Sequence, residues 1–122
     1  MEFGQLHHVE YFVNDLPRTK KFWGWFLPKM GYTEYQVFDS GISWAHKNKT
    51  YLVFVQVEPE YIQIDNNRQA AGLNHIAFQG GSAAELKQLI QELSGKDVKI
   101  LKQADDYLCF EDSNKFAVEI FC

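Results

Sequence analysis

The sequence predicts an α+β fold made of two tandem βαβββ modules, and three observations carry that prediction. Segments of strand and helix character follow one another as strand, helix, strand, strand, strand, and the same order then begins again. The two opening strands align residue for residue, Leu6-His7-His8-Val9 against Leu73-Asn74-His75-Ile76. A half of about 60 residues cannot cover both faces of its own four-stranded sheet, so the two sheets are expected to share a core or to curl around a common cleft.

The elements follow in chain order. Leu6–Asn14 is rich in β-branched and aromatic residues and stops at an Asn-Asp pair, which predicts a strand. Asp15 can cap a helix whose apolar positions Phe22, Trp23, Phe26, Leu27 and Met30 recur at i, i+3/i+4 spacing, with Gly31 as its C′ residue. Pro28 lacks an N–H and crowds the carbonyl of Gly24, so a kink or an early end is expected there. Three strands are then predicted at Thr33–Phe38, Ile42–His46 and Tyr51–Val57, separated by turns at Asp39-Ser40-Gly41 and Lys47-Asn48-Lys49. Tyr61–Ala71 has neither strand nor helix period and reads as a linker. In the second half Leu73–Gln79 is a strand. Ser82-Ala83-Ala84-Glu85 is a capping box for a helix that places Leu86, Leu89, Ile90 and Leu93 on one face and ends at Gly95. Val98 and Ile100 mark a strand, and Tyr107–Glu111 and Phe116–Phe121 flank a turn at Asp112-Ser113-Asn114. The organisation is thus one domain over residues 1–122, with a first module at 5–58, a linker at 59–71 and a second module at 72–122.

Composition excludes several classes. The 122 residues are 46% hydrophobic and 23% charged. A chain of this mass buries about two thirds of its unfolded surface, enough for a core without disulfide or metal staples. The net charge of −4 comes with scattered lysines rather than a basic face, so nucleic acid is not an expected partner. No apolar run approaches the 18 or so residues of a membrane span, and MEFGQLHH has neither the basic nor the apolar region of a signal peptide. A cytoplasmic protein without membrane attachment is expected, with Cys109 and Cys122 as reduced thiols.

Candidate chemistry follows from the repeat. His8 and His75 occupy equivalent positions on the two opening strands. Each module closes on an apolar strand with one polar residue: Glu119 within FAVEIFC, and Gln56 within YLVFVQV. The separations, 48 positions from His8 to Gln56 and 44 from His75 to Glu119, suit equivalent roles. A carboxylate in an apolar strand must be paired, protonated or bound to a metal. Two imidazoles and a carboxylate suit Zn²⁺, Ni²⁺, Fe²⁺ or Mn²⁺ with positions left open, and the Gln56 carbonyl is a fourth, weak donor.

The segments LHHVEYFVNDLPRTKKFWGWFL, GLNHIAF and FEDSNKFAVEIF resemble the vicinal oxygen chelate superfamily of glyoxalases, bleomycin-resistance proteins, fosfomycin-resistance proteins and extradiol dioxygenases, and the likeness spans the chain. The resemblance implies two βαβββ modules around a U-shaped cleft holding a divalent cation on His8, Gln56, His75 and Glu119, a small-molecule substrate chelated through vicinal oxygens, and a homodimer. It implies lyase, transferase or dioxygenase chemistry; a non-catalytic protein that sequesters a small molecule, of bleomycin-resistance type, is the alternative. Glyoxalases have a glutamate where Gln56 stands, and an amide has no comparable basicity, which leaves Glu119 as the candidate catalytic base. Asp112-Ser113-Asn114-Lys115 stands where relatives carry an Asp-Pro-x-Gly turn.

Other residues have plainer readings. His7 faces away from His8 on a regular strand. Trp44 reads as core and His46 as a neighbour of the cleft mouth, while Glu58 shares the face of Gln56 as a substitute ligand. Tyr107, Phe54 and Phe12 read as core aromatics or an apolar wall, Arg68 as a solvated linker residue or an anion holder, and Cys109 as an inert thiol.

Overall fold

The computed structural model describes residues 3–122. The first half contains β1 (His8–Val13), α1 (Leu16–Lys29), β2 (Tyr32–Phe38), β3 (Gly41–His46) and β4 (Tyr51–Gln56). After a 3-10 turn at Pro59–Tyr61, the second half contains β5 (His75–Gln79), α2 (Ala83–Leu93), β6 (Lys99–Ala104), β7 (Tyr107–Glu111) and β8 (Ala117–Phe121). The strands form two sheets of identical order, β1-β4-β3-β2 and β5-β8-β7-β6. Each belongs to one of two compact units that divide between Ile64 and Asp65. This is the βαβββ plan twice over.

In each sheet the opening strand pairs in parallel with the closing one, and the other pairings are antiparallel. The registers match: His8 lies opposite Tyr51 and His75 opposite Ala117. The middle strand β3 or β7 lies beside the closing strand, and the outer strands β2 and β6 carry register shifts at Glu34/Val37 and Ile100/Lys102. In the first unit the buried Ser43 hydroxyl accepts from the Gln36 N–H at 3.1 Å, which satisfies backbone freed by the shift.

The first helix starts because its amide groups are all accounted for. Asp15 Oδ1 accepts from Arg18 N at 3.0 Å and the Asp15 carbonyl from Thr19 N at 2.9 Å, while Pro17 has no N–H to satisfy. The remaining donor, Leu16 N, is bonded by the side chain of Gln56 at 2.8 Å. The helix passes through Pro28 and ends at Lys29, where the Gly31 C′ reading puts it, with Met30 N returning to the Leu27 carbonyl and Gly31 at φ +86°. The buried face of α1 sets Trp23 and Phe26 against the sheet, where Trp23 lies 4.9 Å from Phe54 and Tyr11 stacks on Phe54 at 5.0 Å. Trp44 is buried there too, 5.8 Å from Phe54, so its reading as core holds.

In the second unit α2 opens on a complete capping box between Ser82 and Glu85 and buries Leu86, Leu89 and Leu93; Ile90, expected on the same face, is only half-buried. Leu108, Phe110, Val118 and Ile120 complete that core from the sheet. The β7–β8 turn depends on the buried Asp112, whose Oδ1 accepts from Asn114 N and Phe116 N at 2.9 Å each. Lys115 adopts φ 64°.

The segment expected to be a linker is divided between the units. Asn14 Nδ2 donates to the Ile64 carbonyl in the first unit. In the second, Asp65 pairs with Lys115 at 2.9 Å, Asn66 donates to the Lys115 carbonyl, and Arg68 pairs with Glu111.

Two outcomes follow. Asp112→Ala removes a buried carboxylate that accepts two backbone N–H bonds and should lower unfolding free energy by about 2–4 kcal/mol in denaturant titration, with Asp112→Asn losing less. Hydrogen bonds from the backbone and side chain of Ser82 hold the Glu85 carboxyl below its usual range. A carboxyl depressed in the folded state contributes stability that is complete above its unfolded pKa of about 4.3 and is lost as pH falls through the lower folded value. Glu85→Gln should therefore flatten the acid limb of the stability–pH curve in that window.

Candidate functional site

The second unit gathers its polar side chains on the sheet face opposite α2. Alternation along the strands puts His75, Ala77 and Gln79 of β5, Ala117, Glu119 and Phe121 of β8, and Tyr107, Cys109 and Glu111 of β7 on that face. His75 Nε2 lies 3.4 Å from Glu119 Oε1, with the side chains 39% and 17% exposed, so the pair is open to a ligand while partly withdrawn from water. Glu119 sits across from Cys109, and the Tyr107 hydroxyl donates a hydrogen bond to its carboxylate. Burial, reinforced by that bond and by the neighbouring negative charge, pushes the Tyr107 phenol far above its ordinary value, so it remains a donor. Burial raises the Cys109 thiol as well, in line with an inert thiol.

The opposite ring nitrogen of His75 is also held. Its Nδ1 lies 2.9 Å from Asn74 Oδ1. The Asn74 amide nitrogen donates at 3.0 Å to the Arg68 carbonyl, which decides which end of the amide faces the ring. Arg68 is neither solvated nor free for an anion: its guanidinium is paired with Glu111, both side chains being about four-fifths buried (21% and 19% exposed).

In the first unit His8 stands on the face opposite α1, with Glu10 and the exposed Phe12. Its ring stacks on Tyr51 at 4.7 Å and 6°, and its Nδ1 lies 2.8 Å from His7 Nδ1. His7 thus leans onto His8 instead of facing away, because it precedes the first ladder pair and the pleat does not constrain it. Gln56 is on the other face. Its Oε1 accepts from Leu16 N and its Nε2 donates to the Asn14 carbonyl at 2.9 Å and toward the Val57 carbonyl at 3.5 Å. Glu119 lies two residues beyond the partner of His75, and the same step from the partner of His8 reaches the buried, apolar Val53. Gln56 is three residues farther on, an odd offset that turns it toward the helix. Glu58 is exposed beyond the end of β4 and precedes the 3-10 turn, and His46 lies beside Tyr32 and Gly31.

The donor set fits a divalent cation in part. Two donors with bonds of about 2.0–2.2 Å to one ion stand roughly 3.0–3.6 Å apart for octahedral to tetrahedral angles, and the His75–Glu119 separation of 3.4 Å lies in that range. With Nδ1 engaged by Asn74, Nε2 and Oε1 face each other across a distance that a single ion could bridge. Among the described residues, no three or more His, Cys, Asp or Glu side chains form a preassembled cage. No helix is long and apolar enough to cross a membrane.

Comparison with known proteins meets this geometry. Residues 7–117 match the model of the Glyoxalase/Bleomycin resistance protein/Dioxygenase superfamily. The chain belongs to that superfamily. It is 42% identical over 96 residues to YqjT, an uncharacterized protein of Bacillus subtilis (strain 168), across 79% of this chain and 74% of that one. The structure of a candidate glyoxalase from Bacillus halodurans superimposes with a TM-score of 0.88 at 37% identity, covering 97% of this chain and 95% of that chain. The fold also matches the fosfomycin resistance protein FosX of Listeria monocytogenes, in complex with Mn(II) and a dihydroxypropylphosphonic acid. There the TM-score is 0.70 at 19% identity, over 99% of this chain and 93% of that chain.

What the residue pattern did not reveal is the pair His7 and Asn74, although both were visible as the residues before the two aligned histidines. If Gln56 serves the helix and not a metal, Gln56→Ala should lower stability by about 1–3 kcal/mol, because it strands the Leu16 N–H and the Asn14 carbonyl. Divalent-metal affinity, measured by calorimetric titration of the same variant, should stay at the wild-type value.

Proposed function

We propose that this superfamily member is a divalent-metal-dependent protein acting on a small molecule that chelates the ion through vicinal oxygens, in the manner of a lyase, transferase or dioxygenase. The observation that carries the reading is the His75–Glu119 pair, with Nε2 and Oε1 3.4 Å apart and the other nitrogen of the ring already engaged. His8, the counterpart of His75 in the repeat, is proposed as a donor as well. Gln56 is left out of the set because its amide is bonded to backbone. FosX, of the same fold, holds Mn(II) together with a vicinal diol phosphonate, which lends support.

When bound, the ion would act as a Lewis acid toward the substrate's oxygens. The chain's own groups have definable parts. Glu119 would supply a carboxylate oxygen to the cation, with the Tyr107 hydroxyl beside it as a hydrogen-bond donor. Tyr107 keeps its proton at neutral pH and so serves as a donor beside the carboxylate. Glu119 is also the carboxylate available to accept a substrate proton, the role proposed for it as catalytic base. Asn74 and His7 hold the Nδ1 side of the two histidines.

The test is elemental analysis and Mn²⁺ or Zn²⁺ titration of chelator-free protein. About one ion per chain is expected in the wild type, and His8→Ala, His75→Ala and Glu119→Gln should each weaken binding by more than about 100-fold, beyond what loss of an outer-shell partner costs. A wild type that takes up neither ion would end the metal reading in favour of a metal-free binding protein. With metal present, oxygen uptake on catechols set against thiol-dependent lyase and transferase assays separates the reaction classes.

A further inference from the structure

We propose that Asn74 is a positioning residue that fixes the tautomer of His75, keeping the ring proton on Nδ1 and leaving the Nε2 lone pair directed at the position a divalent cation would take beside Glu119. The inference rests on the metal reading above for its consequence, but its structural content is independent of any ion.

A chain of donors and acceptors runs from Arg68 through Asn74 to His75. Arg68 is anchored by its ion pair with Glu111. Its backbone carbonyl can only accept, so the Asn74 group 3.0 Å away is the NH₂. The other end of the amide, Oδ1, can likewise only accept, and it lies 2.9 Å from His75 Nδ1. The proton between them therefore belongs to Nδ1. In neutral His75 this leaves Nε2 as a bare lone pair, and Nε2 is the nitrogen that faces Glu119 at 3.4 Å. A neutral ring with the opposite tautomer would direct two acceptors, Nδ1 and Oδ1, at each other across 2.9 Å and turn an N–H toward Glu119 across the longer 3.4 Å, so the closer contact to Asn74 opposes the carboxylate's pull on the proton and keeps the Nε2 lone pair for an ion.

The first unit repeats the relation with different chemistry. His7, aligned with Asn74, places its Nδ1 2.8 Å from His8 Nδ1, while stacking on Tyr51 fixes the plane of the His8 ring. Side chains of consecutive strand residues normally point to opposite faces, so contact between neighbours at both aligned sites is not a by-product of the pleat. It arises because β1 and β5 begin at the histidines, which leaves the preceding residue free to turn onto the ring.

The experiment reads the tautomer without metal and the affinity with it. Two-bond ¹⁵N–¹H correlation spectra of the metal-free, full-length protein, at a pH where His75 is neutral, should show His75 with its proton on Nδ1. Asn74→Ala should shift a measurable part of that population to Nε2–H. Asn74→Asp, which keeps an acceptor at the same atom, should retain Nδ1–H. In Mn²⁺ or Zn²⁺ titration Asn74→Ala should bind about 10- to 100-fold more weakly than the wild type, and Asn74→Asp should recover most of that loss. A wild-type His75 carrying its proton on Nε2 would overturn the inference, and so would an Asn74→Ala protein with unchanged tautomer. A wild type that binds neither ion but shows the Nδ1–H form, lost in Asn74→Ala, would overturn the metal reading and uphold the assignment of Asn74.

Discussion

The parallel pairing of the first and last strands in each module is the constraint on which the rest depends. Two parallel neighbours cannot be joined by a hairpin; the chain must travel from the end of one strand back to the start of the other, and here the helix and two further strands make that journey. The helix then covers one face of the sheet with its apolar stripe, and the opposite face is left to whatever the alternating residues supply. Register decides what that is. With His75 opposite Ala117, Glu119 arrives on the face of His75; a slip of one residue would bury its carboxylate against Leu86 and Leu89.

This constraint also explains how far the sequence could be read. The modules, the helices and most strand limits were legible, because apolar period and capping residues are local signals: the Ser82–Glu85 box and the Asp15 cap form as their sequences predict. The aligned histidines were legible because the repeat preserves them. Gln56 was not, since counting residues from His8 compares lengths, whereas the face of a side chain depends on the parity of its offset within a ladder. That ladder is set by hairpin lengths and by bulges in β2 and β6 that local composition does not announce. Arg68 illustrates the same limit: a cation in a polar, aperiodic stretch looks solvated until its partner Glu111, 43 positions away, is placed beside it.

Matching registers reveal what Gln56 corresponds to, and with it a division of labour between the modules. Counting from the partners of the two histidines, Val53 stands for Glu119 and Gln56 stands for Cys122. Both members of the second pair lie at the start of the module's helix: Gln56 bonds Leu16 N, and the Cys122 thiol lies 3.7 Å from the Ser82 carbonyl. The second helix carries its own capping box and needs no help from the closing strand. The first has a proline at its second position and no acidic residue in its first turn, so one backbone N–H falls to a side chain from β4. A glutamine suits that position because it can accept from Leu16 and donate to Asn14 at once, whereas a carboxylate there would face the Asn14 carbonyl without a proton to offer. The polar residue that seemed to echo Glu119 therefore bonds the backbone at the start of α1, and only the second module places a carboxylate beside its histidine. The histidines are what both modules retain, each with its Nδ1 held by the residue before it. That shared feature sets the opening strands, whose histidines stand at matching register positions, apart from the closing ones, whose polar residues do not.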